Sequence, residues 1–340
     1  MKTKQQYITE ISLAQKAKKF QDLKWTHQLP ALFKTEPLRL NYHLNKPIYF
    51  NFQIPKKNGG LREIQSPNEE LKEIQNKLNK YLSAIYFGVK PKSVHGFVLG
   101  LGSEGESFSI VSNAKEHCNK KHVLNMDIEN FFSSISAKQI KAALSKQPFA
   151  ISEEISIVVA LLGTYQKKLP TGAPSSPVLS NIYCFEMDNL LEEYCSTNEL
   201  TYTRYADDLT FSSNTKISER VIDELRIIIT NFGFKLNEKK FRLQSSRSKQ
   251  TVTGLVVNKK VNVDRRYIRK LRAILYSWEK MGAEIAAAKH FNATKLSVED
   301  VQKFVRKLAG QIQFVGQVRG IEDEIYRKLL LSFEYNMSLE

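Results

Sequence analysis

The sequence predicts an α+β fold, and three observations carry that expectation. Residues 49–54 and 61–65 are β-prone runs flanking Pro55-Lys56-Lys57-Asn58-Gly59-Gly60, a basic tip that ends in glycine. Residues 200–213 form a second hairpin pattern, rich in Thr, Tyr, Leu and Phe on either side of Tyr205-Ala206-Asp207-Asp208. Helical spacing of apolar residues dominates the rest, above all from residue 265 to residue 340.

Taken in order, residues 5–24 read as a helix with Ile8, Ile11, Leu13, Ala14 and Phe20 among Lys and Gln, followed by a short segment at 29–33. After the first hairpin, residues 71–86 have helical periodicity and residues 100–107 read as a glycine-serine loop. Residues 123–128 read as a strand whose alternation places Val123, Asn125 and Asp127 on one face and Leu124, Met126 and Ile128 on the other. Helices are expected at 137–144 and 152–162, the second with Ser152 as N-cap ahead of Glu153 and Glu154. The proline-rich stretch 170–177 interrupts before a helix at 178–194, and Gly233 stops a helix at 219–232. Residues 252–257 and 261–263 read as a small β pair, and Leu271, Ile274, Leu275 and Trp278 share one face of the helix that follows.

Composition narrows the function classes. The chain has 340 residues, of which 42% are hydrophobic, enough for about two domain-sized cores. Its 51 Lys and Arg against 35 Asp and Glu give a formal charge of +16, which favours a polyanionic partner. No stretch reaches the ~18 uninterrupted apolar residues of a spanning helix, and the polar start Met1-Lys2-Thr3-Lys4-Gln5-Gln6 lacks an apolar signal core, so a cytoplasmic protein without a membrane partner is expected. Cys118, Cys184 and Cys195 form no C-x-x-C pair; structural disulfides and zinc are not expected.

Asp207 and Asp208 have two readings. An Asp pair in a tight turn bonds its own backbone, whereas two adjacent ionised carboxylates on a hairpin tip are readily understood if a divalent cation lies between them and a phosphate. Asp127 stands at the end of a strand, where it is either an N-cap for the following residues or a third metal ligand. Three carboxylates brought to one sheet end are able to hold two Mg²⁺ ions about 3.5–4 Å apart, the arrangement that activates a 3′-hydroxyl and stabilises a leaving pyrophosphate. That chemistry is nucleotidyl transfer.

With these residues in view the chain resembles the reverse transcriptases, and specifically the bacterial retron branch. Tyr205 to Asp208 match the Tyr-x-Asp-Asp box, residues 127–132 match the first catalytic Asp motif, and residues 169–177 resemble the loop supporting template and incoming nucleotide. Gly233-Phe234 through Asn237 to Lys240 resemble the following glycine motif with its lysine, and Arg62 lies in the fingers motif. Asn113-Ala114-Lys115-Glu116-His117 and Val252-Thr253-Gly254 fit two signatures of the retron branch. One departure is Thr171, where the family commonly has Gln: a short hydroxyl replaces an amide that would reach the nucleotide.

The resemblance implies a right-hand polymerase fold: a helical accessory region at 1–35, interleaved fingers and palm at 36–258 with an antiparallel palm sheet, and a basic helical thumb at 259–340. It implies Asp127, Asp207 and Asp208 as metal ligands, with the Ile128 carbonyl as a possible fourth. Arg62 would grip phosphate bidentately and Lys57 as a point charge, unless adjacent Lys56 takes that role. Phe132 is either the steric gate under the sugar or plain core, Thr171 and Gly172 border the nucleotide, and Lys240 or its neighbour Lys239 would protonate pyrophosphate. Asn113, His117, Val252, Thr253, Gly254, Arg265, Arg266 and Tyr267 would meet RNA, with Tyr276 and Trp278 as further aromatics in a basic lobe. The implied reaction is reverse transcription, from dNTPs, of a cognate non-coding RNA. It is primed by the 2′-hydroxyl of an internal guanosine and yields branched multicopy single-stranded DNA (msDNA) joined to RNA, within anti-phage defence that uses a separate effector protein. The rivals are a group II intron-like enzyme and a non-catalytic RNA-binding scaffold that restrains a toxic partner.

Overall fold

The computed structural model describes residues 4–56, 59–100, 108–293 and 295–339. Lys57 and most of the glycine-serine loop lie outside the described residues. The chain divides into two compact units, one of residues 1–113 and 121–243, the other of residues 114–120 and 244–340.

The first unit begins with helices α1 (Lys4–Gln21), α2 (Leu29–Phe33) and α3 (Pro37–Asn45), and continues with the hairpin β1 (Tyr49–Pro55) and β2 (Leu61–Pro67). The two strands pair antiparallel from Tyr49↔Pro67 to Pro55↔Leu61, as their alternating β-branched and aromatic residues lead one to expect. Helix α4 (Glu69–Val89) is opened by Asn68, whose side chain accepts from the Leu71 N–H, and by Glu69 and Glu70 in its positive first turn. It buries Leu71, Ile74, Leu78, Leu82 and Ile85 at helical spacing, which welds it into the core. Helix α5 (Ile110–Lys115) precedes strand β3 (His122–Asp127).

Helices α6 (Ala137–Ser145) and α7 (Glu153–Gly163) follow, then α8 (Ser176–Thr197), which starts inside the expected proline break. Ser136 caps α6 in a reciprocal box with Gln139. Ser152 stands at the N-cap of α7 but forms no cap bond; its hydroxyl donates instead to the Lys24 carbonyl, 3.4 Å away, which corrects the expected capping role. The hairpin β4 (Thr201–Tyr205) and β5 (Asp208–Ser213) leads to α9 (Glu219–Asn231), and Gly233 turns the chain beyond it with φ +77°. Strand β6 (Arg242–Ser245) completes a four-stranded sheet in the order β4-β5-β3-β6. Both faces of this sheet's centre are covered, because Val123, Leu124, Met126, Leu209 and Phe211 are all buried.

In the second unit, β7 (Thr251–Val252) pairs with β8 (Leu255–Val256) about a turn at Thr253-Gly254. The expected pairing of 252–257 with 261–263 is therefore corrected: only Asn262 adds a bridge, to Val256. The tight turn is the reason, since Thr253 and Gly254 both take positive φ (+46° and +83°) and close the hairpin within residues 251–256. Helices α10 (Arg265–Phe291), α11 (Val298–Arg319) and α12 (Glu324–Ser338) form the rest. Leu271, Leu275 and Trp278 are buried on one face of α10, and Trp278 packs edge-on against Phe304 and Phe333. Helix and antiparallel sheet thus combine in an α+β molecule, as expected. Among the described residues no helix is long and apolar enough to cross a membrane.

Candidate polymerase active site

Strand pairing assembles the carboxylates. Strands β3 and β5 pair antiparallel from His122↔Ser213 to Asp127↔Asp208, while β4 pairs with β5 up to Tyr205↔Asp208. Asp127 and Asp208 are therefore cross-strand partners at the same end of the sheet, and Asp207 is next to them in the two-residue turn. The Ile128 N–H donates to the Asp207 carbonyl at 3.0 Å, which ties the end of β3 to that turn. Asp127 caps no helix: the next helical turn, at Phe132–Ser134, begins after Phe131.

The same strand end gathers a cation. Beyond Asp127 the backbone continues pairing, with Glu129 N–H donating to the Lys235 carbonyl at 2.8 Å and Asn237 N–H to the Asp127 carbonyl at 2.8 Å. A helical turn at Glu238–Lys240 follows, fixed from outside by a bidentate Arg226–Glu238 pair. It delivers the Lys240 ammonium to Asp127 Oδ2 at 2.7 Å. Of the two adjacent lysines, Lys240 is the one that reaches the cluster.

Electrostatics records the crowding. Burial, and then the charges of Asp207 and Asp127, push the Asp208 carboxyl up to about 7. Burial and Asp127 also raise Asp207, against the pull of Lys240 and Arg62. Burial works against the Lys240 charge, but its hydrogen bond to Asp127 and the surrounding carboxylates outweigh it and raise its pKa. Among the described residues no group of three His, Cys, Asp or Glu side chains is gathered tightly enough to hold a metal ion as it stands. The donor set nevertheless fits a divalent cation: three hard oxygen donors, mutually repelling, with the chain's own ammonium already seated on one of them.

This carries a pH prediction. A carboxyl raised in the folded state contributes stability that is complete below its ordinary pKa of 3.8 and is lost as pH rises through about 7. A divalent cation needs that proton gone. The affinity for Mg²⁺ is expected to rise about tenfold per pH unit up to 7 and to level off above it. Calorimetric titration between pH 5.5 and 8.5 measures this, and a flat profile would contradict the raised Asp208 carboxyl.

Around the carboxylates, Arg62 is exposed on β2 and its charge is felt at Asp207. Thr171 binds the hairpin by its backbone: the Gln65 N–H donates to the Thr171 carbonyl at 2.7 Å. Gly172 (φ +127°) packs so closely on β2 that a Cβ there would lie 2.9 Å from Ile64 Cγ2 and 3.0 Å from the Gln65 carbonyl oxygen. Only glycine fits that approach. Phe132 is half-buried, its ring 5.4 Å from Phe131 and 6.1 Å from Phe97.

The residues expected to meet RNA divide by burial. In the first unit Asn113 is 1% exposed, and its side-chain amide finds no hydrogen-bond partner among the described residues. In the second, His117 and Val252 are buried, whereas Gly254, Arg265 and Arg266 are exposed and Thr253 and Tyr267 are half-buried. The Tyr267 hydroxyl donates to the Gln311 carbonyl at 3.4 Å. Trp278 is core rather than a stacking surface, while Tyr276 is 62% exposed.

Sequence reading missed the support beneath the turn. Arg204, on β4, and Asp188, on α8, are both fully buried. Arg204 Nε and Nη2 donate to Asp188 Oδ1 and Oδ2 at 2.8 and 2.6 Å, and the Tyr202 hydroxyl donates to Asp188 Oδ1 at 2.9 Å. Burial pushes the Asp188 carboxyl up and Arg204 pulls it back; three donors in this geometry define an ionised carboxylate. An arginine inside an otherwise uncharged β run, Thr201 to Tyr205, was the available signal.

The family is settled by comparison. The profile described as "Reverse transcriptase (RNA-dependent DNA polymerase)" matches residues 54–293. The chain belongs to the reverse transcriptase family, and its enzymatic class is RNA-directed DNA polymerase. Within that family it is similar to the Retron Ec86 reverse transcriptase of Escherichia coli, 33% identical over 250 residues that cover 71% of this chain and 73% of the relative. It is also similar to the Retron Se72 reverse transcriptase of Salmonella heidelberg, 30% identical over 81% of this chain and 70% of the relative. The Retron Mx65 reverse transcriptase of Myxococcus xanthus is 30% identical over 67% of this chain, and the match spans about half (55%) of that relative's length. Among solved structures, a telomerase from Candida albicans in complex with a telomeric RNA fragment is similar at 10% identity and TM-score 0.46, over 86% of this chain and 64% of that one.

Proposed function

We propose that the chain reverse transcribes a cognate structured non-coding RNA of a retron. Synthesis starts from the 2′-hydroxyl of an internal guanosine and gives branched msDNA. The observation that carries the catalytic part is the convergence of Asp127, Asp207 and Asp208 with Lys240 at one sheet end.

In this reading the three carboxylates and the Ile128 carbonyl would hold two Mg²⁺ ions, which would supply Lewis-acid stabilisation of charge developing on the reacting oxygens. Arg62 clamps the triphosphate of the incoming dNTP, with Lys57 as a second phosphate ligand. Phe132 closes the floor beneath the sugar, and Thr171 and Gly172, anchored to β2, border the template and nucleotide. Lys240 Nζ, released from Asp127 Oδ2, passes a proton to the departing pyrophosphate.

Within the second unit, RNA selection falls to the exposed Gly254, Arg265 and Arg266 and the half-buried Thr253 and Tyr267, with His117 and Val252 supporting from within; Asn113, in the first unit, is a further RNA-selecting residue by its signature alone. The resemblance to retron enzymes extends the proposal to a cytoplasmic defence role against phage and to a separate effector protein as partner. Sequencing the nucleic acid that copurifies with the native protein tests the reading. The expected product is one RNA species joined through a 2′–5′ branch to single-stranded DNA, separable by debranching enzyme. Recovery of mixed cellular RNA without attached DNA would remove the retron assignment, and activity on a primed RNA template tests the polymerase separately.

A further inference from the structure

We infer that Arg204, held by Asp188, is a positioning residue that fixes the Ala206–Asp207 peptide and thereby aims the Asp207 carboxylate; the inference rests on Asp207 serving as a ligand in the proposed reaction. Two guanidinium nitrogens of Arg204 are taken by Asp188. The third, Nη1, donates to the Ala206 carbonyl oxygen at 3.2 Å. That oxygen belongs to the peptide whose other end is the Asp207 nitrogen, so its orientation sets the direction in which Asp207 leaves the turn.

The turn needs such a grip. Ala206 has φ +59°, a left-handed conformation that a Cβ disfavours and in which glycine is the usual residue of a two-residue hairpin loop. Beneath it lies Gly96, where an added Cβ would stand 2.5 Å from the Ala206 nitrogen and 3.0 Å from the Tyr205 carbonyl carbon. Gly96 is in turn held by Asn181, whose Nδ2 donates to its carbonyl at 3.0 Å. On the same side, Arg204 N–H donates to the Ser93 carbonyl at 2.9 Å and His95 N–H to the Arg204 carbonyl at 3.0 Å. The strained turn is therefore packed from below by backbone and fixed at its carbonyl by Arg204.

Stability alone does not account for this pair. A buried ion pair is commonly no better than two apolar residues of similar volume. What apolar side chains cannot supply is a donor aimed at the Ala206 oxygen.

The test uses the full chain with a primed RNA template, following kcat, KM for dNTP, and the rise in melting temperature on adding Mg²⁺. The double variant Arg204→Met/Asp188→Leu replaces the pair by apolar volume. It is expected to melt near the wild-type temperature, to keep its KM, and to lose about 10²-fold in kcat, the penalty of a displacement of about 1 Å in an active site. Its Mg²⁺-induced stabilisation should need a higher Mg²⁺ concentration. Adding Ala206→Gly should recover part of kcat, since glycine holds positive φ unaided; a purely structural role for the pair predicts no such rescue. Should the double variant not fold, Arg204→Lys decides, because it keeps a charge for Asp188 but lacks the fork that reaches Ala206. The same kcat loss and glycine rescue are expected of it. Wild-type kcat and Mg²⁺ response in either folded variant overturns the inference, whereas a wild-type chain that makes no DNA overturns the polymerase reading instead.

Discussion

Asp207→Asn combined with Asp208→Asn is expected to abolish DNA synthesis, by at least about 10³-fold, while raising the melting temperature of the metal-free protein. The loss follows because amide oxygens are poor ligands for a divalent cation, whose share in stabilising the transition state is several kcal/mol. The gain has a separate cause. Burial and mutual repulsion push the Asp208 carboxyl up to about 7, so both carboxylates are held in an environment that disfavours their charge. Neutral isosteres remove that penalty, a trade of stability against activity that is common at active sites. Primer extension, calorimetric melting and an RNA filter-binding assay check the three parts, with RNA affinity expected to be unchanged. A variant that still synthesises DNA at wild-type rate would end the assignment of these residues to metal binding.

The largest effect on folding is expected at the buried pair. Arg204→Met alone leaves Asp188 fully buried with, among the described residues, the Tyr202 hydroxyl as its remaining hydrogen-bond partner, and Asp188→Leu alone leaves the buried guanidinium without its counter-charge. Breaking one side of such a pair typically costs about 3–5 kcal/mol, far more than replacing both sides. Urea unfolding followed by circular dichroism should therefore place both single variants well below the wild type and the double variant near it. If each single variant lost less than about 1 kcal/mol, the pair would not be the buried, ionised contact described.

Much of the site was legible because it is local. The two hairpins, the strand ending at Asp127 and the stop at Gly233 are written in alternation and turn chemistry, which depend on neighbours in sequence. The cross-strand match of Asp127 with Asp208 was reachable from there, since β3 and β5 have the pattern of adjacent buried strands. What escaped depends on tertiary placement. Asp188 and Arg204 are 16 residues apart on different elements, and nothing in either neighbourhood announces the other. Lys239 and Lys240 are indistinguishable until the turn at Glu238–Lys240 points one of them at Asp127. Asn113, His117 and Val252 were read from two short signatures of the resemblance, which do not say which of their side chains are buried. Ser152 had the composition of a cap, but the chain passing at Lys24 offered its hydroxyl another acceptor.

The register of β3 against β5 has a consequence for how this chain can change. Side chains alternate faces along a strand, so a single-residue insertion anywhere between His122 and Asp127, or between Asp208 and Ser213, would offset Asp127 from Asp208 and exchange the faces on which the displaced buried residues pack. The apolar residues of these two strands thus act as the gauge that sets the spacing of the carboxylates. A length change at a place that the gauge does not cross, such as the glycine-ended tip between β1 and β2, would leave that spacing intact. In these strands, a lineage that kept every acidic residue but altered the count between them would retain the motif and lose the enzyme.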